Sequence, residues 1–230
     1  MHRRLIALAA LLGAAPAGAA TRTYIVTDFD TVRLEGPIEV DVRTGKGVSA
    51  RGEGDADLLE RVDLNVSARV LTIRLKPALY EARRGPSPAS VRLTLGVPNL
   101  RRVQLSGAGS LKADGLDKLR AEVASSGSGS LAISGIASDN LTVAQLGSGS
   151  VQLAGKAKSV AMQVSGSGSL AAGGLAVSDL NLVVEGAGSV AASADRTAKI
   201  VATGSGSIAV TGKAACTVRQ SGSGVVSCGG

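Results

Sequence analysis

The chain has 230 residues, with 25 Lys+Arg against 18 Asp+Glu, a formal net charge of +7, 44% hydrophobic residues and 1% aromatic residues. That apolar fraction excludes a disordered, highly charged chain, and 31 glycines without an every-third-residue period exclude a collagen. A core for one domain or two must be built from Val, Leu, Ile and Ala, because the only rings are Tyr24, Phe29 and Tyr80.

Residues 1–20 read as a secretory signal peptide, with Arg3 and Arg4, an apolar run from Leu5 to Leu12, and the small residues Ala17-Gly18-Ala19 before cleavage after Ala19 or Ala20. The alternative, a membrane anchor, fails on length, since eight unbroken apolar residues are too few to cross a bilayer. The mature chain therefore has no transmembrane segment in this reading. Cleavage removes the single histidine, His2, together with Arg3 and Arg4, and leaves 23 − 18 = +5. This mild excess has no basic cluster interleaved with aromatics, so no nucleic-acid partner is expected.

Residues 21–100 read as irregular strands. Val32, Leu34, Ile38, Val40 and Val42 alternate with charged residues across Gly36-Pro37. Leu64, Val66 and Ala68 continue, after one shift, into Leu71, Ile73 and Leu75, and Val91 to Val97 follows. Residues 77–89 hold Pro77, Pro86 and Pro88 with Tyr80, Arg83 and Arg84, and read as an exposed loop. The expected layout is one β-solenoid domain over 21–230, irregular over 21–100 and regular over 101–230. A separate N-terminal β domain joined near Pro98 is the alternative.

From residue 101 a repeat takes over. Gly-x-Gly-Ser begins at Gly107, Gly127, Gly147, Gly166, Gly186 and Gly204, with a degenerate copy at Gly222, at spacings of 20, 20, 19, 20, 18 and 18. Four residues after each first glycine stand Leu111, Leu131, Val151, Leu170, Val190, Ile208 and Val226. Four residues before stand Val103, Val123, Val143, Met162, Leu182, Ile200 and Val218. Period-two alternation around fixed glycines means short strands with one face inward. A second glycine series (Gly115, Gly135, Gly155, Gly174, Gly212 and Gly230, with Ala194 replacing one) marks another corner, and there is room for a third. The predicted architecture is all-β: a right-handed parallel β-helix, or solenoid, with coils of 18–20 residues. Ser110, Ser130, Ser150, Ser169, Ser189 and Ser207 should then stack into a hydroxyl ladder.

Cys216 and Cys228 fall at inward phases of the last coil, and in an exported chain this suggests a disulfide stapling the C-terminal end. The alternative is two buried free thiols. No metal site is expected from two cysteines without a histidine. The same lack rules out Ser-His-Asp and Cys-His catalysis. The Gly-x-Gly-Ser units lack the Lys-Ser/Thr ending of a phosphate loop, and Gly107-Ala-Gly109 lacks the third glycine of a dinucleotide fingerprint, so no cofactor is expected. Asp139 and Asp179, at nearby phases two coils apart, are the one candidate carboxylate pair, and solvated turn aspartates explain them better.

Leu105-Ser-Gly-Ala-Gly-Ser110, Ser126-Gly-Ser-Gly-Ser130 and Ser165-Gly-Ser-Gly-Ser169 resemble units of the bacterial family of putative autotransporter adhesins, head GIN domain. Phe29-Asp-Thr-Val32, Gly36-Pro-Ile-Glu-Val40, Asp57-Leu-Leu59 and Val70-Leu-Thr-Ile73 resemble its first half, so the likeness spans roughly residues 24–227. It implies export and a right-handed β-helix-like fold, and it assigns no site residues. The expected function is an exported, non-enzymatic β-helix with an adhesin-like, structural or binding role in the periplasm, at the cell surface or outside the cell. The alternative is a polysaccharide-active enzyme or a carbohydrate-binding β-helix. No ligand-binding residue can be named. A cell-surface glycan or envelope component is the partner class this compartment offers, and self-association through the coil ends is a further expectation.

Overall fold

The computed structural model describes residues 20–77 and 90–229. The predicted signal peptide, apart from Ala20, and the loop predicted over 77–89, apart from Pro77, lie outside the described residues. The protein is 72% strand and 3% helix, a β-solenoid of about six turns.

Its elements are β1 (Ala20–Tyr24), β2 (Thr31–Glu35), β3 (Glu39–Thr44), β4 (Ser49–Gly54), α1 (Ala56–Arg61), β5 (Val62–Ser67), β6 (Val70–Leu75) and β7 (Val91–Val97). The regular half follows with β8 (Arg102–Gly107), β9 (Ser110–Ala113), β10 (Leu116–Asp117), β11 (Arg120–Gly127), β12 (Ser130–Gly147), β13 (Ser150–Gly166) and β14 (Ser169–Gly186). It closes with β15 (Ser189–Ser193), β16 (Thr197–Gly204), β17 (Ser207–Thr211), β18 (Ala215–Ser221) and β19 (Val225–Cys228).

Each coil has three faces. The first carries β8, β11, the second half of β12 and its successors up to β18. The second carries β9, the start of β12 and its successors up to β19. The third begins at β10, stacked under Ile136 and Ala137. All of these pairs are parallel, and apart from register shifts between Ile133 and Ile136 and between Gln152 and Ala154 they hold register, so like residues stack. Val103, Val123, Val143, Met162, Leu182 and Ile200 are each at most 2% exposed. Removing one such aliphatic side chain from water is worth about 1.5–3 kcal/mol, and the buried apolar residues form one cluster running from Phe29 to Val210.

The serine ladder is present. Ser110, Ser130, Ser150, Ser169, Ser189 and Ser207 stack in register, and the Ser130 hydroxyl donates to the Ser110 hydroxyl at 3.0 Å. At the neighbouring corner one buried glutamine takes the place of an apolar residue. Its amide, Gln145 Nε2, donates to the Gly149 carbonyl at 2.7 Å and to the Ser169 carbonyl at 3.2 Å, bracing the turn from inside.

The first half departs from the simplest expectation. β2 and β3 do form a coil, but it lies directly beneath β8 and β9, and β6 and β7 lie beneath it in turn. The chain therefore visits the second coil of this stack before the first. The break that the alternation shows at Ala68 is a reversal within a hairpin: Ala68 and Arg69 take φ of 49° and 65°, and β5 runs antiparallel to β6. A two-residue turn with both residues in the left-handed region matches the twist of paired strands. β4 runs antiparallel to β7, and β1 to β4. The short helix α1 was not expected. Asp55 caps it, accepting from the Leu58 amide at 3.0 Å, and its buried Leu59 packs at this end of the stack. Tyr24 donates to the Leu59 carbonyl at 2.7 Å. Antiparallel strands, the helix and Tyr24 thus cap the N-terminal end, where no further coil lies below among the described residues.

At the other end β18 and β19 form the last coil of the described residues. Cys216 stacks on buried Ala198 and Cys228 on buried Val210, so both hold inward phases. Cys216 is nonetheless exposed, because no described strand lies above β18 and β19. The two cysteines are joined in a disulfide, with Cα atoms 6.3 Å apart.

Candidate binding face and the predicted site residues

Asn140 stacks under Ser159 and Ser159 under Asp179, which puts Asp179 two coils above a residue adjacent to Asp139. Two coil rises amount to about 10 Å. Retaining glycosidases need about 5–5.5 Å between carboxyl groups and inverting ones about 6.5–9.5 Å. Each aspartate is also taken by a cation of a neighbouring coil. Lys158 Nζ lies 2.7 Å from Asp139. Arg196 donates to Asp179 through Nε at 2.8 Å and through Nη2, and the Thr197 hydroxyl donates at 2.7 Å.

The Arg196 hydrogen bonds, then that from Thr197, hold the Asp179 carboxyl down at about 2. A general acid needs the opposite shift. The two aspartates therefore act as struts between coils. Because the Asp179 pKa is lowered on folding, its contribution to stability is fully present above its unfolded value near 4 and is lost as pH falls towards 2. Asp179→Asn should flatten the part of the acid-denaturation curve between about pH 4 and pH 2. Urea midpoints measured at both ends of that window check this; an unchanged acid limb would contradict it.

Among the described residues no three of His, Cys, Asp and Glu come together as a metal-binding group. An open groove of about 680 Å³ runs along the second face. Its floor is an outward ladder in strict register: Asp41, Lys112, Ala132, Gln152, Ala171 and Ala191. The corner residues Ser134, Ala154 and Gly174 form one wall. Alternation sends these floor side chains outward, and the three alanines, Ala132, Ala171 and Ala191, keep the floor low on either side of Gln152.

The N-terminal mouth of the groove is charged. Arg43 pairs with Asp114 at 3.8 Å and Lys112 with Glu39 at 3.9 Å. Asp114 also accepts from the Thr44 amide and hydroxyl, at 2.7 and 2.9 Å. The groove therefore combines a charged end with a track of small side chains interrupted by Gln152. It suits an extended ligand held by contact along its length.

The ladder from Lys112 to Ala191 was available in the sequence at constant phase, but small outward residues carry no chemical signal of their own. The charged mouth could not be found that way, because it depends on β3 lying beside β9, about 70 residues further along the chain. By contrast, the Arg102–Glu122 ion pair, at 2.7 Å, follows directly from the period of 20.

The model of the family described as "Putative auto-transporter adhesin, head GIN domain" matches residues 28–214. Nothing among curated proteins matches. Several solved structures share the fold. One is described as a "putative adhesin" from Bacteroides fragilis, at 20% identity and TM-score 0.81, covering 91% of this chain and 96% of that one. Another, a "putative adhesin" from Parabacteroides merdae, has 22% identity and TM-score 0.71, covering 92% and 96%. A third, a "putative lipid binding protein" from Parabacteroides distasonis, has 18% identity and TM-score 0.70, covering 92% and 96%. At these identities the likeness concerns the fold.

Proposed function

Since the chain belongs to the family described as "Putative auto-transporter adhesin, head GIN domain", we propose that it is an exported, non-catalytic, adhesin-like scaffold, folded as one domain over 21–230, that binds an extended surface polymer along the groove of its second face. The observation that carries this reading is the in-register floor of Ala132, Gln152, Ala171 and Ala191, with its charged mouth at Asp41 and Lys112. A glycan or a linear envelope component has the shape for such a track.

Export rests on the signal pattern in residues 1–20 and on the disulfide, which belongs to an oxidising compartment. Ala20 already pairs with Gly54, so cleavage after Ala19 leaves β1 whole. No helix among the described residues is long and apolar enough to cross a membrane. The catalytic alternative finds little support, because Asp139 and Asp179 lie apart and each is held by a cation.

The test compares cells lacking the protein, cells with the wild type, and cells with Ala171→Arg, which fills the groove floor without touching the core. Loss of surface adhesion or envelope integrity in the first, restored by the wild type and not by the folded variant, is expected. Unchanged adhesion and integrity on deletion would remove the proposal.

A further inference from the structure

On the first face, away from the groove, lies a pocket of about 460 Å³ lined by Arg101, Arg102, Arg120, Glu122, Asn140 and Thr142. Register explains why these residues meet. Glu122 stacks on Arg102, Thr142 on Glu122 and Asn140 on Arg120, so side chains of three coils converge where the face begins. Neighbouring coils stand about 4.8 Å apart, and alternate residues of one strand about 7 Å apart. One small group in the pocket is therefore within reach of all three guanidiniums.

Their charge is only partly met. Arg102 stands 2.7 Å from Glu122, but its Nε is buried and has no acceptor among the described residues, so this pairing leaves donors of the guanidinium unused. Arg101 stands 3.6 Å from Asp30, too far for a hydrogen bond. That carboxylate already accepts from Arg69 at 3.2 Å and from the Thr31 hydroxyl at 2.9 Å. Arg120 is exposed, and no acid among the described residues pairs with it. Its column runs through Asn140 and Ser159 before it reaches an acid, Asp179, and Arg196 holds that one. The lining thus carries three positive charges against one negative, beside an amide and a hydroxyl that can donate.

We propose that this pocket binds a phosphate monoester carried on a sugar. The donor set points to that class. A carboxylate has two oxygens, which a single guanidinium fork fills. A phosphate monoester presents three free oxygens and a charge near −2 at neutral pH, which matches three arginines offset by one glutamate. The volume falls within the range of about 300–1,000 Å³ found for small-molecule sites, so a sugar ring fits beside the phosphate. Apart from Ala121 every lining residue is polar, which suits sugar hydroxyls and offers nothing to an acyl chain. The site is independent of the groove on the second face.

Nuclear magnetic resonance of the labelled protein, titrated with glucose 6-phosphate, tests this. Signals of Arg120, Asn140 and Thr142 should shift saturably, with a dissociation constant of about 1 mM or tighter. Arg120→Gln should weaken binding at least about tenfold, and the fold should tolerate it because the side chain is exposed. Lys199→Gln removes the same charge from the same face, three coils above Thr142. That distance, about 14 Å, exceeds the screening length in physiological salt, so affinity should not change. Glucuronate, with a carboxylate in place of the phosphate, should bind at least about tenfold more weakly. No saturable shift, equal weakening by Lys199→Gln, or glucuronate binding as tight as that of the sugar phosphate would each overturn the proposal. So would binding confined to phosphatidylglycerol vesicles, which would put a membrane surface in the place of the sugar.

Discussion

Gly147→Ala will unfold the protein at markedly lower denaturant than the wild type. Gly147 has φ +105°, and a Cβ there would stand 2.6 Å from the Gly127 carbonyl oxygen and 3.2 Å from the Gly127 nitrogen. Both obstructing atoms are backbone of the coil below, so no side chain can swing away. That carbonyl also accepts from the Ser148 amide at 3.1 Å and from the Gly149 amide at 2.9 Å, so moving it breaks the corner's own hydrogen bonds. Backbone strain and overpacking together put the loss at roughly 2–6 kcal/mol. The control is Gly173→Ala, where the new Cβ meets nothing within 4 Å and φ is unexceptional. It should leave the urea midpoint within the scatter of surface changes or raise it slightly. Equal midpoints for the two variants would show that the corner glycines are not required by stacking.

The second large effect concerns the disulfide. Cys216 and Cys228 are 12 residues apart, and closing a loop of that length is worth about 3 kcal/mol in the chain-entropy account. In a solenoid each coil touches mainly its neighbours, so this loss will not spread evenly. Reduction, or the double change Cys216→Ser with Cys228→Ser, should release β18 and β19 while the coils below stay folded. Hydrogen exchange resolved by segment should show residues 215–228 losing protection and residues 130–186 keeping it. A uniform loss across both segments would mean that the solenoid unfolds as one unit and that the end has no separate stability.

These two effects separate what was legible in the chain from what was not. The regular half was readable because stacking imposes one environment on each phase. Val123, Val143 and Met162 are aliphatic because each lies in the same column, and Gly127, Gly147 and Gly166 recur because each new corner rests on the previous corner's carbonyl. Period and residue type together specify the coil, its inner face and the phase of the two cysteines.

The first half lacked that redundancy. The alternation in β2, β3, β6 and β7 identifies strands, but it does not say which strand lies on which. An antiparallel hairpin at Ala68-Arg69 and a shifted coil look alike when only the spacing of apolar residues is known. The candidate aspartates failed for a related reason. Phase placed Asp139 and Asp179 near one line, but their nearest charges, Lys158 and Arg196, come from adjacent coils and neutralise them.

By itself, then, the sequence determined the coil, its period and its aliphatic core, because those follow from local residue type repeated at a fixed phase. Only the tertiary structure decided that β2–β3 is inserted between β6–β7 and β8–β9, that the charged mouth of the groove forms between residues about 70 apart, and that antiparallel strands close the N-terminal end. Those outcomes depend on long-range pairing, and no period in a single chain encodes which strand is its neighbour.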